Sequence, residues 1–243
     1  MVNAAMMIEA GHADVVVAGG CESMSNVEHY TTALRGGAKM GNVELWDRLT
    51  RGRLMSQPIE RFGVITGMIE TAENLAKDYG ITREEADAFA VRSHRNAAAA
   101  CLVVAEDKLE ELGLEPALWF TGYAAAGCDP SRMGIGPVPA VELLFARTGM
   151  GWDDIGLVEL NEAFAPQVLA VLKGWGWSDD DTRREILNVN GSGISLGHPI
   201  GATGGRILAD MAHEMHRREV RYGLETMCIG GGQGIAALFE RAV

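Results

Sequence analysis

Four loops at the ends of strand-like runs carry most of this chain's reactive and polar side chains, and much of its glycine. They are Gly19-Gly20-Cys21-Glu22-Ser23-Met24-Ser25, Asn161-Glu162-Ala163-Phe164-Ala165, the stretch from Asn190-Gly191-Ser192-Gly193 through Gly197-His198-Pro199-Ile200-Gly201-Ala202-Thr203-Gly204, and Cys228-Ile229-Gly230-Gly231-Gly232-Gln233-Gly234. Glycine supplies 31 of 243 residues, roughly twice the usual share of about 7%. No G-X-Y period or low-complexity run accompanies it, so the excess reads as backbone that turns tightly around something. In parallel sheets, ligands gather outside the carboxyl ends of the strands, and loops of this kind converge there.

The surrounding pattern is α/β. Val2–Gly11 has the alanine and methionine content of a buried helix ended by glycine. Ala13–Gly20 follows as a short continuous apolar run, the sign of a strand covered on both faces. Helix then strand is half of a parallel unit, whose first strand is expected before Met1. Residues 21–66 read as irregular and surface-lying. The spacing then predicts a helix over 68–79 ended by Gly80, and a second opened by the Thr82/Glu85 capping box and running to about Ala97. At Ala97–Cys101 a helical run passes directly into a strand-like one with no turn residue, which reads as an internal deletion or a fraying alanine-rich turn. Beyond Gly113, strands are expected near 117–125, 154–160, 186–190, 224–229 and 235–239. Helices are expected at 137–149, 163–172 and 206–217, so this half alternates and ends in a hairpin.

Composition excludes several function classes. A chain 47% hydrophobic buries enough surface for one large or two small domains and is not disordered. The net charge of −12 argues against a general nucleic-acid or anionic-membrane surface. Four cysteines without CxxC spacing argue against a zinc site or a disulfide scaffold. No run reaches the 18 or so apolar residues of a membrane span, and the first basic residue is Arg35, so no secretory opening is expected. A soluble protein of a reducing, cytoplasmic compartment is the expectation.

Within the loops, His198 is either an oxyanion donor or base, or a histidine at the start of a helix bonded to backbone. Cys228 is either a reactive thiol, its pKa lowered by the amides of the glycine turn, or a small buried hydrophobe. Asn161 and Glu162 read as helix N-caps that also project an amide toward the site and orient neighbouring backbone. Cys21 has no base beside it in sequence.

Taken together, the loops resemble the thiolase family, the acyl-CoA C-acyltransferases. Three of its motifs match in order: Asn161-Glu162-Ala163-Phe164-Ala165, Gly197-His198-Pro199-Ile200-Gly201 and Cys228-Ile229-Gly230-Gly231-Gly232-Gln233-Gly234. Two more match at Gly19-Gly20 with Glu22-Ser23-Met24-Ser25 and at Thr71-Ala72-Glu73-Asn74. The resemblance implies a layered α/β/α/β/α architecture with an incomplete N-terminal half, residues 1–112 forming the partial N-terminal half and 113–243 the C-terminal half. It implies cleavage of 3-ketoacyl-CoA by CoA, or the reverse condensation, in fatty acid metabolism or β-oxidation. His198 is then the activating and oxyanion-hole histidine, Asn161 holds the oxyanion-hole water, Cys228 is the acid/base cysteine, and Gly230 offers its amide to the acyl-enzyme oxyanion. Coenzyme A and acyl-CoA enter as substrates, with no tightly bound cofactor, no metal, no nucleic acid and no membrane span. A homo-oligomer, dimer or tetramer, is expected, because missing strands leave sheet edges open.

Two departures qualify the resemblance. The family's nucleophilic cysteine lies in a turn before the helix that matches Val2–Gly11, so this chain is expected to lack it and to turn over little substrate alone. Gly67-Met68-Ile69 replaces the His-Met-Gly that precedes Thr-Ala-Glu-Asn in some biosynthetic members. The competing expectation is a non-catalytic thiolase-like protein that binds acyl-CoA or a partner. A nucleotide-binding module is disfavoured because no glycine loop has the strand–loop–helix context together with a basic residue.

Overall fold

The computed structural model describes residues 2–20, 26–37, 40–64, 67–93 and 101–242. In the N-terminal half these form α1 (Val2–Glu9), β1 (Val15–Ala18), β2 (His29–Tyr30), β3 (Trp46–Asp47), α2 (Arg48–Leu54), α3 (Ile59–Phe62), α4 (Met68–Tyr79), α5 (Arg83–Ser93), β4 (Cys101–Val104) and α6 (Leu109–Leu112). The segment expected to be irregular thus contains short elements, of two to seven residues each. The helix α4 ends at Gly80 as its sequence requires. The capping box is made: the Thr82 N–H donates to Glu85 Oε2 at 2.6 Å, and the Glu85 N–H to Thr82 Oγ1 at 3.2 Å. Cys21–Ser25 and the Ala97–Cys101 join fall largely outside the described residues, including Cys21 itself.

The strand β1 departs from expectation. It pairs antiparallel with β4, Val15 opposite Val104 and Ala18 opposite Cys101, and Val17 is 82% exposed. Among the described residues only one face of this two-stranded sheet is covered, by α1 and by a helix of the other half.

The C-terminal half comprises β5 (Leu118–Gly127), α7 (Pro137–Thr148), β6 (Leu157–Leu160), α8 (Ala165–Gly174), α9 (Gly193–Leu196), α10 (Thr203–Arg217), β7 (Tyr222–Ile229) and β8 (Gln233–Arg241). Its sheet has the order β5-β8-β7-β6, with β6 and β7 parallel and the other pairs antiparallel, and β7–β8 is the expected hairpin. The layers read α7/α8, then this sheet, then α10 with α1 beside it, then the β1–β4 pair.

Burial explains the stacking. In β6, Leu-Val-Glu-Leu, every residue is buried, so one side feeds each core. Val158 and Leu160 pack with Leu144, Val168, Leu172, Trp177 and Leu224. Leu157 packs with Leu208, Met211 and Met215 of α10 and with Phe239. Each such side chain contributes roughly 1.5–3 kcal/mol by leaving water. The halves meet tightly where the β1 exit crosses the loop before α10, for a Cβ on Gly20 would overlap the carbonyl of Gly201. Only glycine permits that approach.

The strand expected at 186–190 shrinks to one parallel bridge, Val158 with Leu187. The reason is Asn188, whose side-chain amide occupies both backbone groups of Leu160: Oδ1 accepts from its N–H at 2.8 Å, and Nδ2 donates to its carbonyl at 2.9 Å. A side chain has taken the place of the next ladder rung, and a continuing strand has nothing left to pair with.

Candidate active site

Asn161 lies one residue beyond β6 and is fully buried. Its N–H donates to the Thr226 carbonyl of β7 at 3.0 Å, which fixes it against the end of the neighbouring parallel strand. Its side-chain Nδ2 is 3.4 Å from His198 Nε2. Neither Asn161 nor Glu162 caps a helix, contrary to expectation. The helix α8 starts at Ala165, preceded by Phe164 in extended backbone with no side-chain cap. Their side chains turn instead toward the Gly193 loop. A Cβ on Gly193 would stand 2.5 Å from the Glu162 carbonyl oxygen and 2.9 Å from Asn161 Oδ1, so the loop's glycine is the condition for this packing.

His198 is exposed and is bonded to side chains. The buried Thr203 hydroxyl donates to the Pro199 carbonyl at 3.0 Å and therefore meets His198 Nδ1, 2.8 Å away, as an acceptor. That assignment puts the imidazole proton on Nδ1. The neutral ring then presents a lone pair at Nε2 to the Asn161 amide, and once protonated it presents an N–H. A histidine so held can accept a proton and afterwards donate a hydrogen bond to a developing oxyanion.

Cys228 is half-buried near the end of β7, with Gly230 exposed in the turn that follows and its carbonyl accepting from Gln233 Nε2 at 3.2 Å. The glycine-turn amides do not lower its pKa. Burial pushes the thiol up to about 12, so the resting group is a neutral S–H. Cys128, which the sequence did not single out for the site, abuts the same turn through its N–H, bonded to the Gly232 carbonyl at 2.8 Å. Its thiol is pushed up to about 11, first by burial and then by Asp129.

Beneath these loops lies a buried acidic group that sequence patterning gave no means of assembling. Glu159 and Glu225 are partners in the parallel β6–β7 ladder, on the side facing Arg206 and Asp210 of α10. Burial, then Asp210, pushes the Glu159 carboxyl well above the usual carboxylate range. Burial raises Glu225 to about 8. Glu225 also lines a cavity of about 310 Å³ with Val2, Asn3, Gly19, Gly201 and Met227. Among the described residues no group of three or more His, Cys, Asp or Glu is placed to hold a metal ion, and no helix is long and apolar enough to cross a membrane.

A histidine with a fixed tautomer beside a buried amide, next to strand ends bearing a neutral thiol, is a site suited to oxyanion and proton chemistry on a carbonyl compound. The comparisons agree. The family model "Thiolase, N-terminal domain" matches residues 1–104 and "Thiolase, C-terminal domain" matches 114–241. The chain belongs to the thiolase family of acyltransferases. It is 37% identical to an acetyl-CoA acetyltransferase of Chromobacterium violaceum, across 98% of this chain and 75% of the relative. It is 36% identical to a beta-ketothiolase of Cupriavidus necator, across 99% and 75%. Human mitochondrial 3-ketoacyl-CoA thiolase superposes with a TM-score of 0.86 at 31% identity, across 99% of this chain and 75% of that one. The structure of that human enzyme in complex with CoA superposes equally, at 32% identity. The Chromobacterium alignment runs over 306 positions against 243 residues here, so that relative carries residues inside the span with no counterpart in this chain.

Proposed function

We propose that this chain carries out acyl-CoA carbon–carbon chemistry, cleaving 3-ketoacyl-CoA with CoA or condensing acyl-CoAs. The observation that carries the reading is the Asn161–His198 pair, with Thr203 fixing the imidazole, at strand ends that also hold Cys228. In the cleaving direction an acyl-accepting thiol adds to the β carbonyl. The bond between the α and β carbons then breaks, the acyl group staying on that thiol as a thioester while the electron pair moves onto the departing thioester as an enolate. Protonated His198 and a water oriented by Asn161 hold the enolate oxygen, and the Cys228 thiol gives its proton to the α carbon. In the condensing direction the Cys228 thiolate takes that proton. Gly230 offers its amide to the acyl-step oxyanion. CoA and acyl-CoA are substrates, and no tightly bound cofactor takes part. Residues 1–112 and 113–243 act as the two halves of one catalytic unit in a cytoplasmic homo-oligomer.

The enolisation step uses only His198, Asn161 and Cys228, whereas acyl transfer needs an acyl-accepting thiol as well. The 243-residue polypeptide expressed by itself is therefore expected to be weak in thiolysis but competent in enolisation. Incubating it with acetyl-CoA in D₂O tests this by deuterium incorporation at the α carbon. The expected rate is low at neutral pH, because a thiol pushed up to about 12 is ionised only slightly there. The Cys228→Ser variant is expected to lose at least about a hundredfold. Tight acyl-CoA binding without exchange would establish a non-catalytic acyl-CoA-binding protein instead.

A further inference from the structure

Behind the pair at the centre of the site lies Asn188, whose bonds run to the residues flanking Asn161. Asn188 holds the neighbours of Asn161 on both sides. Its amide bonds the N–H and the carbonyl of Leu160 at 2.8 and 2.9 Å, and its Nδ2 also donates to Glu162 Oε1 at 2.8 Å. The other Glu162 carboxylate oxygen accepts from the Ile194 N–H at 3.3 Å. Ile194 is the second residue of α9, the helix that delivers His198 four positions later. The Asn188 N–H in turn donates to the Val158 carbonyl at 2.8 Å. One buried side chain thus ties the strand end, the Asn161 turn and the start of the His198 segment into a single unit. To do so it adopts a left-handed backbone, φ 44, one of two non-glycine residues with positive φ among those described. Such conformations persist where the surroundings hold them.

We infer that Asn188 is a positioning residue for the proposed enolate chemistry: through Leu160 and Glu162 it fixes the distance between Asn161 Nδ2 and His198 Nε2. The inference rests on the proposed function only for its activity readout. Displacements of about 1 Å in a reacting constellation cost about a hundredfold in rate.

The test is Asn188→Gly, since glycine takes a positive φ without penalty and removes only the side-chain bonds. In the 243-residue chain, α-deuterium exchange is expected to fall about a hundredfold while acetyl-CoA binding stays within about threefold. In an Asn161→Ala background the same change is expected to cost almost nothing further, because its target is gone. With ¹⁵N-labelled histidine, the His198 Nε2 resonance is expected to move as the Asn161 contact loosens. An equal loss of rate in the Asn161→Ala background overturns the inference, as does a folded variant with unchanged exchange and an unmoved resonance. If Asn188→Gly does not fold, Asn188→Asp replaces it, keeping the bond from the Leu160 N–H but having no hydrogen for the Leu160 carbonyl or Glu162. Absence of exchange in the wild-type chain sinks the proposed function, not the positioning role, which the resonance then decides alone.

Discussion

Replacing Glu225 by Gln is expected to stabilise this protein, and increasingly so at higher pH. Glu225 is 7% exposed, and burial raises its carboxyl from an ordinary 4.5 to about 8. At pH 7 the folded chain holds a proton that the unfolded chain releases. Stability from this group is therefore full below about pH 4.5 and is lost as the pH rises toward about 8. Taking up that proton at pH 7 costs about 1.4 kcal/mol for each unit above 4.5, or about 3 kcal/mol, and the cost levels off near 5 kcal/mol above pH 8. A glutamine has the shape of the protonated acid and never ionises, so it avoids the whole sum. Urea unfolding of wild type and Glu225→Gln at pH 5, 7 and 9 measures the difference directly. The expected gain is under about 1 kcal/mol at pH 5, about 3 at pH 7 and about 5 at pH 9. Glu159 is itself raised in part by Glu225, so removing that carboxylate relaxes it and adds to the gain in the same direction. A gain independent of pH, or a variant less stable than wild type at pH 9, refutes the assignment of a buried neutral acid at this position.

Other perturbations probe the site and its supports. Gly193→Ala places a Cβ 2.5 Å from the Glu162 carbonyl oxygen; it is expected to destabilise the fold by about 2 kcal/mol or more and to slow α-deuterium exchange, and an unchanged melt contradicts the packing described. Thr203→Val removes the acceptor for the His198 Nδ1–H with little change of volume. Exchange is expected to drop about tenfold or more, with ¹⁵N shifts reporting mixed tautomers, and an unaltered tautomer contradicts the assignment. Glu214, bonded by Arg217 and Arg218, is held down near 2, first by the Arg217 hydrogen bond. Its contribution is present above about pH 4.5 and is lost as the pH falls toward 2, so the acid limb of a stability–pH curve is expected to flatten in Glu214→Gln.

Local chemistry was legible in the sequence wherever an element's own residues decide it. The helix α4 begins and ends where its spacing and Gly80 place it, and the Thr82–Glu85 box forms as written. The resemblance named Asn161, His198 and Cys228 together, and the structure brings the first two into contact. What stayed hidden depends on partners far along the chain. That β1 pairs antiparallel with β4, some 85 residues on, and leaves Val17 in solvent is not written in Val-Val-Val-Ala. The strand expected at 186–190 failed for the same reason, since Asn188 reads as a polar residue in an apolar run until Leu160 is placed beside it. The raised thiol of Cys228 is a third case: glycine amides nearby pointed one way, and burial, which only the fold supplies, decided the other.

These hidden terms share one consequence for the chemistry. The parallel pair β6–β7 sends Asn161 and Cys228 out from neighbouring strand ends, and the same pair buries Glu159 and Glu225 below them. Burial at this end of the sheet raises the carboxyls of Glu159 and Glu225 and the thiols of Cys128 and Cys228. A medium that disfavours charge that strongly also makes an enolate costly unless hydrogen-bond donors are already aimed at it, because polar groups that must reorient repay little. The left-handed Asn188, the acceptor Thr203 and the glycine at 193 each fix the donor pair before any ligand arrives. Under the proposed function, this arrangement suits a substrate whose charge develops at the Asn161–His198 end and whose proton leaves from the Cys228 end. An acyl thioester undergoing enolisation divides its charge and proton in this way.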